Sequence, residues 1–238
     1  MLSGKLPAAE LEQVAAEKSP AFDADVLFLG DAGIRRLFAS KLARYSTKEI
    51  VYNEGADADT IFVVRGGMVK LISHLSNGRA RIVRVHSRGS WLGLGGLLGR
   101  PYEHTAVAVE DTDVYRIPVS DLLRIKSDEP LLYCRLIERW FDYLQAADLW
   151  IAEFSTGSIK ARVARLVNYL SEIEEKTSPG EVRLLTCGEM AEILGATPES
   201  VSRVLADFKR QNILFPSRVH PADYYQRDTT ALNAIARY

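Results

Sequence analysis

Glu199, Ser202 and Arg203 are polar residues near the C-terminus whose spacing would place them together on one face of a helix. An Arg side chain can bind guanine O6 and N7 in a bidentate contact, and a Glu side chain can accept a hydrogen bond from the cytosine amine. We therefore predict that Glu199 and Arg203 read base edges in DNA. The alternatives are structural: Glu199 as an acid favoured by a helix dipole, and Arg203 as a solvated surface charge.

Two short capped helices would position this face. Thr186 followed three residues later by Glu189 is a capping-box pattern for the first helix. Gly195 breaks that helix, and Thr197 caps a second helix whose first position is taken by Pro198. Apolar residues of the second helix share one face: Val201, Val204, Leu205 and Phe208. A well-capped second helix with polar residues at its start suits a major groove, so we predict a helix-turn-helix rather than a plain helical hairpin.

The chain as a whole is not basic. Its 30 Lys and Arg residues face 31 Asp and Glu residues, for a formal net charge of −1. The prediction of DNA binding therefore depends on local placement rather than on a global positive field. Affinity for DNA comes mainly from phosphate contacts, which we assign to Thr197, Ser200, Lys209 and Arg210.

Several other classes of protein are not expected. Cys134 and Cys187 are too few and too far apart for a zinc or iron–sulfur site, and they are interpreted as ordinary thiols in a reducing compartment. We expect no metal site and no enzyme activity, because no catalytic Ser/His/Asp or Cys/His order and no Walker-type loop stands out. No signal peptide and no run of about 18 apolar residues occurs, so we expect a cytoplasmic protein without a membrane partner.

The first half of the chain predicts mostly β-structure. Between residues 45 and 118, short β-rich runs alternate with turn signals, which indicates an antiparallel barrel or sandwich. The runs are EIVYN, TIFVVRG, MVKLIS, RIVRVH, TAVAVE and TDVYRIP. Asn77-Gly78 between two of them is a hairpin signal. Helices are predicted before them, over residues 8–18 and 31–43, and residues 1–126 are assigned to a β-barrel sensor domain.

A long helix follows, which Pro130 opens, and residues 127–155 are assigned to it. Its apolar residues form a heptad seam: Tyr133, Ile137, Trp140, Leu144, Ala147, Ile151 and Phe154. This spacing predicts a coiled-coil homodimer. The alternative is a helix packed on its own barrel, and both can hold because Leu136, Tyr143 and Trp150 offer a second apolar stripe.

The remaining residues, 156–238, are assigned to the DNA-binding domain. Phe154-Ser155-Thr156-Gly157-Ser158 interrupts the helical pattern and indicates a hinge. A further helix and a Pro179-Gly180 turn precede the helix-turn-helix. The tail is predicted to contain a turn or wing and a short terminal helix.

This order of parts resembles the Crp/Fnr family of bacterial transcription regulators. In the barrel the resemblance is carried by four turn segments: Asn53-Glu54-Gly55, Val64-Arg65-Gly66, Asn77-Gly78 and Gly89-Ser90-Trp91-Leu92-Gly93. In the DNA-binding part, Glu199-Ser200-Val201-Ser202-Arg203 is similar to the E-x-x-S-R recognition pattern of the Fnr branch. The fold implied is α+β: an N-terminal antiparallel β-barrel of the jelly-roll, cyclic-nucleotide-binding-like type, a dimerisation helix and a C-terminal winged helix-turn-helix.

The resemblance also implies a function. It implies that Ser202 contacts a base edge, that the dimer binds double-stranded DNA at a TTGA-like palindrome, and that the output is more often activation through RNA polymerase than repression. Effector binding in the barrel would shift the long helix and the hinge and so reorient the DNA-binding heads. Two departures weaken single contacts: Pro198 replaces a second Arg, and the segment from Pro216 to Pro221 replaces the usual Gly-Lys turn of the wing.

The effector site that the resemblance implies consists of Gly93, Leu94, Gly95, His104, Thr105, Ala147 and Asp148. Members that bind cyclic AMP have Glu at the position of Leu94 and Arg at that of His104. A neutral His cannot replace the bidentate phosphate contact of Arg. We therefore expect a small-molecule effector other than cyclic AMP, whose identity stays open.

Three alternatives for control and function stay open. Haem-binding members of the family use axial His or Cys ligands, and His74, His86 and His104 lie in the predicted barrel. An iron–sulfur cluster is not expected, because residues 1–50 contain no Cys. The protein could also act without a ligand, under the control of its abundance, a partner or thiol oxidation. The rival from another class is a regulatory ligand-binding module without a DNA role, against which the capped helix-turn-helix argues.

Overall fold

The computed structural model describes residues 41–76, 78–128, 130–174, 181–218 and 223–237. The helix predicted over residues 8–18 lies outside the described residues, as do Asn77, the Pro179-Gly180 turn and part of the predicted wing. The described chain forms an N-terminal jelly roll, a long helix and a C-terminal winged helix-turn-helix.

Eight strands form the jelly roll: β1 (Lys41–Tyr45), β2 (Ile50–Tyr52), β3 (Thr60–Gly66), β4 (Val69–His74), β5 (Ala80–His86), β6 (Trp91–Leu92), β7 (Thr105–Ala108) and β8 (Thr112–Pro118). They pair in two antiparallel sheets of order β1-β8-β3-β6 and β2-β7-β4-β5. All six β-rich runs of the sequence are strands. The sheets do not join into the closed barrel that we predicted, because each ends in edge strands without a further pairing among the described residues.

The helix predicted over residues 31–43 is wrong at its C-terminal end. Lys41–Tyr45 is strand β1, which pairs with β8 from Lys41 opposite Arg116 to Tyr45 opposite Thr112. Ala43 and Tyr45 pack against the core between the sheets. A continuous ladder and a buried face therefore outweigh the helical period of the apolar residues.

Strand β3 is buried on both faces, which explains its unbroken apolar sequence. Phe62 and Val64 point into the core between the two sheets. Ile61 and Val63 point the other way and pack with side chains of the two helices that follow the jelly roll. A strand covered on both sides reads as a continuous hydrophobic run rather than an alternating one.

A 3₁₀ helix (Leu94–Leu98) follows β6 within the jelly roll. Six α-helices and three short strands complete the described chain: α1 (Val119–Asp128), α2 (Pro130–Ser155), α3 (Ile159–Glu174), β9 (Glu181–Arg183), α4 (Cys187–Leu194), α5 (Pro198–Arg210), β10 (Leu214–Pro216), β11 (Tyr224–Arg227) and α6 (Thr229–Ala236). The strands form a sheet of order β10-β11-β9, so the predicted wing and terminal helix are confirmed, whereas β9 was not predicted. None of the described helices combines the length and apolarity that crossing a membrane requires.

The two apolar stripes of α2 have different environments. In the second stripe, Leu136 and Tyr143 are buried against the jelly roll, and Trp150 packs edge-on against the ring of Tyr169 in α3. The residues of the predicted heptad seam differ in their exposure. Ile137, Leu144 and Ile151 are exposed, by 43%, 61% and 62%, and Phe141 beside them by 57%. Tyr133, Trp140 and Ala147 are half-buried, and Phe154 is buried in a cluster formed mainly by side chains of the C-terminal domain, so the exposed seam ends at Ile151.

The segment between α2 and α3 is held by one side chain. The break predicted at residues 155–158 is confirmed, since α2 ends at Ser155 and α3 begins at Ile159. Arg165 donates through Nη1 to the carbonyl oxygens of Glu153 (3.0 Å) and Thr156 (2.8 Å), and through Nε to that of Ala236 (2.7 Å). The last carbonyls of a helix have no partner within the helix, so this guanidinium stabilises the ends of both α2 and α6.

Candidate DNA interface and effector pocket

The helix-turn-helix is built by the caps that the sequence predicts. The Thr186 hydroxyl accepts a hydrogen bond from the Glu189 amide (3.2 Å), and the Glu189 carboxylate accepts one from the Thr186 amide (3.0 Å). Gly195 ends α4 in the left-handed conformation, with φ of 60°, which a residue with a Cβ rarely adopts. Thr197 accepts from the Ser200 amide and caps α5. The capping box, the Gly turn and the second cap are therefore confirmed.

The start of α5 presents an open polar face. Val201, Leu205 and Phe208 are buried on the opposite side of the helix. Glu199, Ser202 and Arg203 are exposed, and Ser200 is half-buried beside them. Hydrogen bonds from its own amide and from Thr197, with the nearby charge of Arg203, lower the pKa of the Glu199 carboxyl. This face therefore offers a carboxylate acceptor, a hydroxyl and a guanidinium at neutral pH.

The far end of α5 is tied to neighbouring elements. Lys209 donates from Nζ to the Tyr225 hydroxyl of β11 (2.8 Å), and its ammonium lies 4.5 Å from the centre of that ring. Arg210 lies 3.4 Å from Asp207, which also accepts from Lys160 (2.8 Å). Lys209 thus joins the recognition helix to the wing sheet, a role that no local sequence signal indicated.

The first helix of the motif is docked on the jelly roll. Lys70 of β4 forms an ion pair with Glu189 (Nζ–Oε1 2.8 Å), and Arg81 of β5 donates to the Ile193 carbonyl (3.2 Å). Burial disfavours the charge of Glu189, but hydrogen bonds from Lys70 and Thr186 outweigh it and lower the pKa of the carboxyl. Glu189 therefore both caps α4 and fastens it to the jelly roll.

A cavity of about 530 Å³ lies between the jelly roll and α2. Five of the seven predicted effector residues line it: Gly93, Leu94, Gly95, His104 and Ala147. Thr105 and Asp148 do not. The Thr105 hydroxyl is buried and accepts a hydrogen bond from the Glu54 amide (3.1 Å), and Asp148 is exposed on α2. The volume is that of an ordinary small-molecule site.

The histidines of this cavity are neutral at physiological pH. Burial lowers the pKa of His86 to about 3, with the charge of Arg84 acting in the same direction, and burial also lowers the pKa of His104. Leu94 is buried in the apolar cluster under α2. The two positions that would serve a cyclic nucleotide thus supply neither a fixed cation nor a ribose acceptor.

Two basic residues of the cavity, Arg81 and Arg84, were missed by the sequence analysis. Strict alternation along β5 places them on opposite faces of the sheet. Along β4 and β5, Leu71 pairs with Arg84 and Ile72 with Ile82, which leaves Val83 as the extra residue of a β-bulge. A bulge changes the alternation, and both Arg residues line the cavity.

The His, Cys, Asp and Glu residues of the described ranges form no group that could hold a metal ion. Cys134 and Cys187 are both free thiols, the first exposed and the second half-buried.

Two family models match the chain. A cyclic nucleotide-binding domain model matches residues 42–129, and a Crp-like helix-turn-helix domain model matches residues 164–235. The chain is 26% identical over 175 residues to the transcriptional regulator LdrP of Thermus thermophilus, which covers 73% of this chain and 87% of that protein. It is 25% identical over 169 residues to the fumarate and nitrate reduction regulatory protein of Yersinia pestis, covering 70% of this chain and 68% of that protein.

Solved structures show the same fold. FixK2 of Bradyrhizobium japonicum superposes with a TM-score of 0.72 at 23% identity, over 83% of this chain and 97% of that one. A CRP-family transcriptional regulator of Thermus thermophilus superposes with a TM-score of 0.67 at 25% identity, over 82% of this chain and 97% of that one. The order of jelly roll, long helix and winged helix-turn-helix is therefore shared with these proteins.

Proposed function

This chain belongs to the Crp/Fnr family of DNA-binding transcription regulators, and on that premise we propose that it acts as a homodimer that binds a TTGA-like palindrome. We further propose that an effector other than cyclic AMP controls it. The family resemblance favours an output through contact with RNA polymerase.

The observation that carries the DNA-reading proposal is the exposed face of Glu199, Ser202 and Arg203 at the start of a capped helix. Base edges specify sequence, whereas phosphate contacts supply most of the affinity. Fluorescence anisotropy with a labelled TTGA palindrome and a shuffled duplex of equal composition tests the proposal. We expect tighter binding of the palindrome by a factor of about 10³ or more. Equal affinities would refute sequence reading, and no binding to either duplex would leave a ligand-binding module without a DNA role.

The dimer is supported by the exposed apolar seam of α2. Ile137, Phe141, Leu144 and Ile151 follow heptad-like spacing on a side of the helix that the described part of its own chain does not cover. A two-fold axis along this seam would place two recognition helices about 34 Å apart, one turn of B-DNA. Sedimentation of the full chain tests this proposal: a dimer is expected, and a monomer that still binds the palindrome tightly would refute it.

An effector other than cyclic AMP is supported by Leu94 and the neutral His104. A buried polar group left without a partner costs about 1–3 kcal/mol, so two such losses would weaken cyclic AMP binding by about 10²–10⁴-fold. Isothermal titration calorimetry tests this, with no saturation expected at micromolar cyclic AMP. A micromolar dissociation constant would refute it.

A further inference from the structure

We propose that the cavity between the jelly roll and α2 binds an amphipathic organic anion without a ribose, an aromatic body with one anionic group held by Arg81 and Arg84. This inference names the ligand class of the effector site and rests on the function proposed above.

The first support is a pair of half-buried guanidinium groups without a carboxylate partner. Within the described ranges, Arg81 and Arg84 donate hydrogen bonds to backbone carbonyls, of Ile193 (3.2 Å) and Tyr143 (2.9 Å), and no described carboxylate forms an ion pair with either. Each guanidinium has five N–H donors, of which one carbonyl occupies one. Buried charges are ordinarily paired, so two such groups at a cavity call for an anion there.

Several other half-buried cations in the same fold form ion pairs, although Arg162, which donates to the Leu194 carbonyl (2.7 Å), forms none with the described residues. Lys70 pairs with Glu189, and Arg183 pairs with both Glu110 and Asp223. At the mouth of the cavity, Arg100 lies 3.7 Å from the carboxylate of Glu103. Burial also lowers the pKa of Arg84, in keeping with a charge that its surroundings do not compensate.

The second support is the nature of the cavity walls. Seven aromatic side chains line it: Tyr52, Trp91, Tyr102, Trp140, Tyr143, Trp150 and Phe154. His86 and His104 are neutral there and add no charge. Large apolar rings on most sides and two guanidinium groups on β5 fit a flat apolar body with a single negative end. A volume of about 530 Å³ admits a bicyclic or tricyclic molecule of this kind.

Arg81 also contacts the DNA-binding domain, so Arg84 is the better residue to vary. Its guanidinium lies against the turn of the helix-turn-helix, where a Cβ at Gly195 would overlap it. A change at Arg81 therefore disturbs the DNA-binding domain as well as the cavity. Among the described residues, Arg84 donates a hydrogen bond only to the backbone of α2, so a change at Arg84 disturbs less than one at Arg81.

Two probes that share one body test the ligand class in the full chain. 8-Anilinonaphthalene-1-sulfonate carries the negative charge, and N-phenyl-1-naphthylamine has the same rings without it. We expect wild type to bind the sulfonate at least about tenfold more tightly, the worth of one charge-assisted contact. Arg84→Gln should reduce this preference several-fold without changing the affinity for the neutral probe, because Arg81 remains, and Arg84→Lys should retain more of it.

Arg88→Gln is the matched control, because Arg88 is exposed on the turn after β5 and does not line the cavity. It should leave both affinities unchanged. Equal affinities of wild type for the two probes would overturn the proposal, as would unchanged sulfonate binding in Arg84→Gln or an equal loss in Arg88→Gln. Palindrome binding measured on the same samples separates the two proposals. If the probes fail while DNA binding holds, only the ligand class is wrong; if probes bind as expected but no duplex does, the proposed function is wrong.

Discussion

Replacing Glu189 by Gln should loosen the docking of the helix-turn-helix on the sensor domain. Gln at the third helical position still completes a capping box, so the variant removes the charge and keeps the cap. The ion pair with Lys70 spans 2.8 Å, and its side chains are only 13% and 20% exposed. A hydrogen bond between charged groups contributes about 1.5–3 kcal/mol, and here Lys70 would also lose its partner. We expect the free energy of unfolding to fall by about 2 kcal/mol.

Urea unfolding followed by far-UV circular dichroism measures this loss, and Arg44→Gln provides the control. Arg44 pairs with Asp113 at a similar distance (2.9 Å), but its side chain is 74% exposed, so its loss should cost about 1 kcal/mol or less. A double-mutant cycle with Lys70→Met should give a coupling energy that accounts for most of the Glu189→Gln effect. Equal losses in Glu189→Gln and Arg44→Gln would refute the reasoning.

The same ion pair has a pH dependence of defined sign. The folded-state pKa of Glu189 lies below its ordinary value of 4.5, so the ion pair stabilises the fold fully above pH 4.5. This stability is lost as the pH falls through the lower folded-state pKa. The difference between wild type and Glu189→Gln should therefore shrink on acidification, and a difference that stays constant from neutral pH to acid would contradict the assignment.

Three further variants test other contacts. Leu144→Asp should yield monomers that no longer bind the palindrome, whereas Leu149→Asp, also exposed but off the seam, should stay dimeric; sedimentation velocity decides between them. Gly195→Ala should lower the stability by about 1 kcal/mol through left-handed backbone strain and should also displace Arg81. Gly55 has a similar φ but open space around it, so Gly55→Ala should show the strain alone, and thermal unfolding of the two variants measures the difference. Lys209→Ala should weaken cognate and random duplexes alike and reduce the salt slope by about one; a loss confined to the cognate duplex would mean that it reads bases.

The sequence predicted those elements that local signals define. The capping box at Thr186, the Gly195 turn and the Thr197 cap each follow from side-chain hydrogen bonding within four residues, and all are present. The six β-rich runs were also predicted from local signals, because alternating or continuous apolar residues specify a buried face. The different burial of the two apolar stripes of α2 was predicted only in part. Which stripe contacts the jelly roll depends on how the jelly roll packs against α2.

The features that were missed depend on partners distant in sequence. Strand β1 exists through its ladder with β8, about seventy residues away, and its own residues carry a helical period. Arg84 reaches the cavity because of a bulge that only the pairing of β4 with β5 reveals. The ion pair of Lys70 with Glu189 and the contact of Lys209 with Tyr225 likewise join elements from different parts of the chain. Periodicity and spacing describe one segment at a time and carry no information about such pairs.

The most direct test of whether the start of α5 reads the DNA sequence compares two Arg residues of that helix. Arg203 is exposed on the face predicted to read bases, and Arg210 is exposed at the far end of the same helix. Competition binding across single-base variants of the palindrome measures both Ala variants. Arg203→Ala should lose about 1–3 kcal/mol on the cognate site and discriminate less at one guanine, while Arg210→Ala should weaken all sequences equally. An equal loss on all sequences for Arg203→Ala would make it a phosphate contact and contradict the claim that the start of α5 reads the DNA sequence.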